Sequence, residues 1–150
     1  MLPMAPPAVW PVDPPVVARP FDPPDTPFGT GHRGVDLVAG PGVAVRALLP
    51  GRIAFAGEVG RTPVVTIDHG GWRSTYQPVE ALLAPGREVR AGEIIGRTAP
   101  VGGHCAGHCL HLGVVVAGDY RDPLDLLAGP AALKPTLTPR RGAPPADAPG

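Results

Sequence analysis

Cysteine, lysine and aromatic residues are scarce in this chain of 150 residues, and neither sign of charge dominates. Its 13 basic and 13 acidic side chains balance to zero, which excludes the basic surface expected of a nucleic-acid-binding protein. No apolar stretch approaches the ~20 residues of a membrane-spanning helix, so we expect no membrane span. No signal peptide is visible either, because the residues after Met1 lack a charged flank and an apolar run.

The two cysteines, Cys105 and Cys109, are separated by only three residues. Two cysteines are too few for a four-cysteine zinc site. In an oxidising compartment we expect a Cys105–Cys109 disulfide, whereas in the cytosol the two would be free thiols or metal ligands. Metal ligation by Cys109 is therefore the alternative to the disulfide.

Proline divides the chain into three parts. Of the 23 prolines, 16 lie within residues 1–27 and 130–150, and the part between them is rich in Val, Ile, Leu and Ala. We predict a Pro-rich extended arm over residues 1–27, one compact domain over 28–127 and a disordered Pro/Ala-rich tail over 128–150. About 100 residues suffice for a single hydrophobic core.

Short apolar segments with glycine or proline between them fill the predicted domain. Runs of about five residues that recur every eight to twelve are typical of an all-β domain, and we expect a small antiparallel sheet. The predicted strands are residues 43–48, 52–56, 63–68, 72–76, 93–96 and 110–116, with a short segment at Val89 and a hairpin turn at Gly118-Asp119. A single helical turn is predicted within residues 122–127.

Three side chains suggest a metal site. His32 and Asp36 lie four residues apart with Gly34 between them, and His111 lies in the last apolar strand. Two imidazole nitrogens and one carboxylate oxygen would bind Zn²⁺ with one position left open, the arrangement of a catalytic rather than a structural zinc ion.

The order of the motifs resembles that of the lysostaphin/LytM-type zinc metallopeptidases, which cut peptide cross-bridges of peptidoglycan. The resemblance rests on Gly31-His32-Arg33-Gly34-Val35-Asp36, Pro50-Gly51-Arg52-Ile53, Ile67-Asp68-His69-Gly70, Thr75-Tyr76, Val89 to Gly96 and Cys109-Leu110-His111-Leu112. It implies an all-β fold with an open groove, Zn²⁺ bound by His32, Asp36 and His111, peptidoglycan peptides as substrate and an extracellular or cell-wall location.

Two family positions differ in this chain. The family pattern Tyr-x-His reads Tyr76-Gln77-Pro78, and the first histidine of the family pair His-x-His is Cys109. Loss of a general base typically costs about a hundredfold to ten-thousandfold in rate. We predict His104 as the replacement base in preference to His108, which should face away from the metal. The alternative is that both are solvent-exposed loop histidines.

Two functions follow from these observations. The first is a zinc-dependent endopeptidase that acts on peptidoglycan, favoured by the complete ligand set. The alternative is a catalytically impaired relative that binds peptidoglycan or activates a partner hydrolase, favoured by the two absent histidines. Ligation by Cys109 would discriminate between them, because four protein ligands would close the site.

Overall fold

The computed structural model describes residues 7–23, 31–100 and 108–127. No helix in this part of the chain is long and apolar enough to cross a membrane. The elements in chain order are β1 (Val17–Arg19), β2 (Val35–Val38), β3 (Ala44–Arg46), β4 (Gly51–Val59), β5 (Thr62–Asp68), β6 (Trp72–Gln77), β7 (Val79–Ala81), β8 (Glu88–Val89), β9 (Ile94–Thr98), β10 (Cys109–Val116), β11 (Asp119–Arg121) and α1 (Leu124–Leu127).

The strands form two antiparallel sheets. The larger, eight-stranded sheet has the order β1-β2-β10-β6-β5-β4-β8, with β11 paired to β10 beside this path. The smaller sheet has the order β3-β9-β7. This architecture confirms the predicted all-β fold of antiparallel sheet. It also brings β2, near the start of the domain, directly against β10, near its end.

One face of the large sheet is apolar and forms the core. Successive side chains of a strand point to opposite faces, so every second residue is buried against the small sheet. On β10 these residues are Leu110, Leu112 and Val114, each at most 1% exposed. The core also contains Val45, Ile53, Val65, Ile67, Val79 and Ile95. The opposite face of the large sheet, which we call the metal face, carries Asp36 and His111.

The hairpin between β10 and β11 turns at Ala117-Gly118, one residue earlier than predicted. Both residues have positive φ, 52° and 85°. Positive φ at both central residues is the requirement of a type I′ turn, whose twist matches that of the flanking strands. Asp119, predicted in the turn, is instead the first residue of β11.

The proline-rich segment before the domain runs along its surface in residues 7–23. Its strand β1 lies at the edge of the large sheet, where prolines nearby do not interrupt the ladder. The backbone N–H of Arg46 donates a hydrogen bond of 2.9 Å to the Pro11 carbonyl, and Val12 is only 2% exposed. The predicted tail over 128–150 lies outside the described residues.

Candidate metal centre

Two strands and an isolated bridge bring the predicted ligands together. Asp36 on β2 is directly opposite His111 on β10, so their side chains share the metal face. His32 lies three residues before β2 and forms an isolated antiparallel bridge with Asp22. The register of β2 against β10 therefore joins residues that are 75 positions apart.

The potential ligand atoms converge on one point. His32 Nε2 lies 3.2 Å and His111 Nδ1 lies 2.8 Å from Oδ1 of Asp36. All three candidate ligand atoms lie within 4.8 Å of one another. His32 and Asp36 are buried, whereas the His111 side chain keeps 17% of its surface exposed. The cluster is therefore open toward solvent on the His111 side.

This donor set fits zinc. Zinc–ligand distances of about 2.0–2.2 Å in a tetrahedron place neighbouring ligand atoms about 3.3 Å apart. The two histidine nitrogens lie at comparable distances of 3.2 and 2.8 Å from Asp36 Oδ1. A zinc-binding histidine normally donates its other ring N–H to a carbonyl or carboxylate. His32 meets this condition, because its Nδ1 donates a hydrogen bond of 2.9 Å to the Pro20 carbonyl. The bond leaves the Nε2 lone pair directed at the cluster.

Gly34 gives the His111 imidazole its space. A Cβ atom at Gly34 would lie 2.7 Å from His111 Nε2 and would also collide with the Leu112 carbonyl oxygen. Any side chain at position 34 would therefore displace the ring or the strand behind it. The sequence indicated Gly34 only as a loop residue, and neither its role nor that of the Pro20 carbonyl is visible without the fold.

Cys109 shares the metal face with His111 but does not belong to the ligand cluster. It pairs with Val38 of β2 and is 8% exposed. Within the described ranges the cluster consists of His32, Asp36 and His111. His104 and Cys105 lie outside these ranges, so the predicted base and the predicted disulfide stay predictions. His108 is exposed immediately before β10.

A second polar group lies on the core face of the same sheet, at β6. His69 Nδ1 donates to the Pro50 carbonyl at 2.7 Å, so Nε2 accepts from the Ser74 hydroxyl, also at 2.7 Å. The Ser74 oxygen in turn accepts from the Tyr76 hydroxyl at 2.7 Å. The Tyr76 oxygen accepts the backbone N–H of Leu48 at 3.0 Å. These hydrogen bonds form one continuous network in which each hydroxyl group donates toward His69.

Burial keeps the two titratable groups of this hydrogen-bond network, His69 and Tyr76, neutral. Burial lowers the pKa of His69 below its usual value of 6.5, against the opposing effects of its hydrogen bond to Pro50 and of the nearby Asp68 carboxylate. Burial also raises the pKa of Tyr76 to about 12, although its hydrogen bonds with Ser74 and Leu48 oppose the shift. The His69 ring stacks on Trp72 with centroids 4.0 Å apart. Tyr76 therefore supports the sheet from inside, while the adjacent Gln77 points to the metal face.

The chain is similar to proteins and structures of one family. The model of peptidase family M23 matches residues 30–123. The uncharacterized protein Rv2891 of Mycobacterium tuberculosis is 41% identical over 134 aligned positions, and the match covers 84% of this chain and 54% of that protein. The chain thus spans about half the length of this curated relative.

Two solved structures share the fold. Csd3 of Helicobacter pylori matches with a TM-score of 0.69 and 28% identity, over 81% of this chain and 34% of that one. The catalytic domain of the antimicrobial peptidase lysostaphin from Staphylococcus simulans matches with a TM-score of 0.62 and 25% identity, over 74% of this chain and 90% of that one. The matched segment contains all three residues of the cluster and more than half of the chain, and the chain therefore belongs to peptidase family M23.

Proposed function

We propose that this protein is a zinc-dependent endopeptidase that cuts cross-bridge peptides of peptidoglycan. The observation that supports it best is the convergence of His32 Nε2, Asp36 Oδ1 and His111 Nδ1 on one point. Two neutral nitrogens and one carboxylate leave one coordination position for water or substrate, as in catalytic zinc sites. Zn²⁺ bound there would lower the pKa of a water molecule and polarise the scissile carbonyl.

The residues of the chain would prepare this site in distinct ways. The Pro20 carbonyl fixes the tautomer of His32, so Nε2 is free of a proton and faces the cluster. Asp36 supplies the negative charge that offsets the cation. His111, the most exposed of the three side chains, lies at the opening through which a peptide would approach. Peptidoglycan lies outside the cytoplasmic membrane, so this function also implies an exported protein.

A second candidate function is a module that binds peptidoglycan or activates a partner hydrolase. It is supported by Pro78 and Cys109, which stand where the resemblance implies histidines. Without a positioned general base, an active enzyme would lose about a hundredfold to ten-thousandfold in rate. Zinc binding is therefore expected under the first function even if cleavage is slow.

The zinc content of the purified protein tests the proposal. We expect about one zinc ion per chain, a number that follows from the three-ligand site, and slow release of soluble peptides from purified peptidoglycan. The variant His111→Ala should lose both the metal and the cleavage. The matched control His108→Ala removes an exposed histidine outside the cluster and should retain both. A native protein without zinc would overturn the proposed enzyme function. Zinc binding without cleavage would favour the binding module.

A further inference from the structure

The side chain next to His111 on the metal face is that of Gln77. His111 on β10 is directly opposite Asp36 on one side and Gln77 of β6 on the other, so the three residues form one row across the sheet. Residues directly opposite in antiparallel strands have Cβ atoms about 4.5–5.5 Å apart and point to the same face. The Gln77 amide therefore extends the ligand row by one position, on the side away from Asp36.

The backbone of Gln77 is held from the core side, and the neighbouring metal-face position of β10 carries no side chain. Tyr76, one residue earlier, is completely buried and hydrogen-bonded to Ser74, which fixes the end of β6 from the core side. The neighbouring residue of β10 on the metal face is Gly113, which carries no side chain. A Cβ atom there would lie 3.9 Å from His111 Nε2. The Arg33 carbonyl oxygen would lie 3.8 Å from the same Cβ, so the position beside the imidazole is bordered by backbone and carries no side chain of β10.

The Gln77 amide is itself available for a ligand. Gln77 is half-buried, and its side chain makes no hydrogen bond within residues 7–23, 31–100 and 108–127. A glutamine amide offers two N–H donors and stays neutral at every working pH. Such a donor can stabilise negative charge, but it cannot act as a general base.

We propose that Gln77 is a catalytic residue whose side-chain amide donates a hydrogen bond to the oxygen of the scissile carbonyl. This inference rests on the proposed peptidase function. In hydrolysis the water oxygen bonds to the carbonyl carbon, and the π electron pair moves onto the carbonyl oxygen. That pair returns as the C–N bond breaks, and the amine leaves with a proton from the water. Gln77 neither gains nor loses an atom, and its hydrogen bond is strongest while the oxygen carries the extra charge.

Kinetics of Gln77→Ala test the role, with Thr75→Ala as matched control. Thr75 lies on the same strand and the same face and is equally half-buried. Removal of one oxyanion donor typically costs about 10²–10³-fold in kcat, so we expect this loss in Gln77→Ala with KM changed less than about threefold. Thr75→Ala should retain the native kcat, and all three proteins should hold the same amount of zinc. The variant Gln77→Glu, which keeps the shape but not the donors, should be at least as slow as Gln77→Ala.

A binding measurement separates this role from the peptidase function itself. A phosphinic peptide carries a tetrahedral phosphorus with negatively charged oxygens in place of the planar carbonyl group, so we expect calorimetry to show at least about tenfold weaker binding to Gln77→Ala. The affinity for an uncut peptide of the same sequence should stay unchanged. Equal kcat and equal phosphinate affinity in Gln77→Ala would overturn the inference, as would loss of zinc from this variant. If the native protein binds zinc but cuts nothing, the proposed function fails, and the phosphinate affinity alone decides the role of Gln77.

Discussion

Gly34 shows how a residue without a side chain determines the geometry of the candidate metal site. The added Cβ of Gly34→Ala would lie 2.7 Å from His111 Nε2, and the colliding Leu112 carbonyl belongs to the sheet backbone and cannot move away easily. Overpacking of this kind typically costs about 1–3 kcal/mol. We expect Gly34→Ala to lose free energy of unfolding in this range and to bind zinc more weakly, because the ring must leave the cluster.

The matched control is Gly40→Ala at the other end of β2. No atom lies within 4 Å of a Cβ built at Gly40, and its φ is not positive. This variant should keep zinc binding and be neutral or more stable by up to about 1 kcal/mol. Urea unfolding and competition with a zinc chelator measure both quantities. Native zinc affinity in Gly34→Ala would contradict the assigned role.

The sequence predicts a site residue when its side chain carries a recognisable chemical group, and not when only its position in the fold matters. His32, Asp36 and His111 bear metal-binding groups in a recognisable order, so the sequence was sufficient to single them out as a set. Gly34, Gln77 and the Pro20 carbonyl matter only through their positions relative to the strands. Such positions depend on strand register, and a shift of one residue would turn Gln77 to the core. The sequence contains no local signal for that register.

The elements themselves were predicted more completely than their arrangement. Glycine and proline punctuate the chain, so most strands were placed within two or three residues of their actual bounds. The division into two sheets and the pairing of β2 with β10 were not predicted, because they depend on contacts between distant parts of the chain. The polar chain through β6 was missed for the same reason: His69, Ser74 and Tyr76 become neighbours only when β5 and β6 pair.

The chain of hydrogen bonds at β6 makes the stability of the fold sensitive to acid. In the folded protein the pKa of His69 is lowered from 6.5, while the unfolded chain should titrate near 6.5. Below this pH the unfolded state binds the proton more readily, so the free energy of unfolding should fall as the pH drops from about 6.5 toward the lower folded pKa. Above about pH 6.5, His69 is neutral in both the folded and the unfolded state, and its contribution to the free energy of unfolding no longer changes with pH. Protonated His69 would carry hydrogen on both ring nitrogens and would force Ser74 to donate to Tyr76, which removes the acceptor of the Tyr76 hydroxyl.

The variant His69→Gln, which does not titrate, isolates this effect. We expect its stability to fall less steeply than that of the native protein between about pH 7 and 5, when urea unfolding is measured with a chelator present. His108→Gln removes an exposed histidine instead and should follow the native curve. Parallel curves for His69→Gln and the native protein would show that His69 has no part in the acid sensitivity.

At the scale of the whole molecule, the proline-rich segment connects the core to the candidate metal site. Val12 is 2% exposed and belongs to the core cluster. Further along the same segment, the Pro20 carbonyl accepts the hydrogen bond of His32. We therefore propose that residues 7–23 fold together with the sheets, whereas their composition predicted only an extended arm before the domain. Proline restricts the backbone and removes donors, but it does not prevent the apolar side chains between prolines from being buried.

Val12→Ala tests this connection, and Val16→Ala in the same segment is its control, because Val16 is 49% exposed. Complete burial of a valine side chain contributes about 1.5–3 kcal/mol, so Val12→Ala should lower the free energy of unfolding by an amount near this range. Val16→Ala should stay within about 0.5 kcal/mol of the native protein. If the segment and the sheets form one cooperative unit, Val12→Ala unfolds in a single transition at lower urea, and intrinsic fluorescence and circular dichroism report the same midpoint. An unchanged midpoint in Val12→Ala would mean that the packing of residues 7–23 does not contribute to the stability of the sheets. The core contact of Val12 would then not help to position the Pro20 carbonyl against His32.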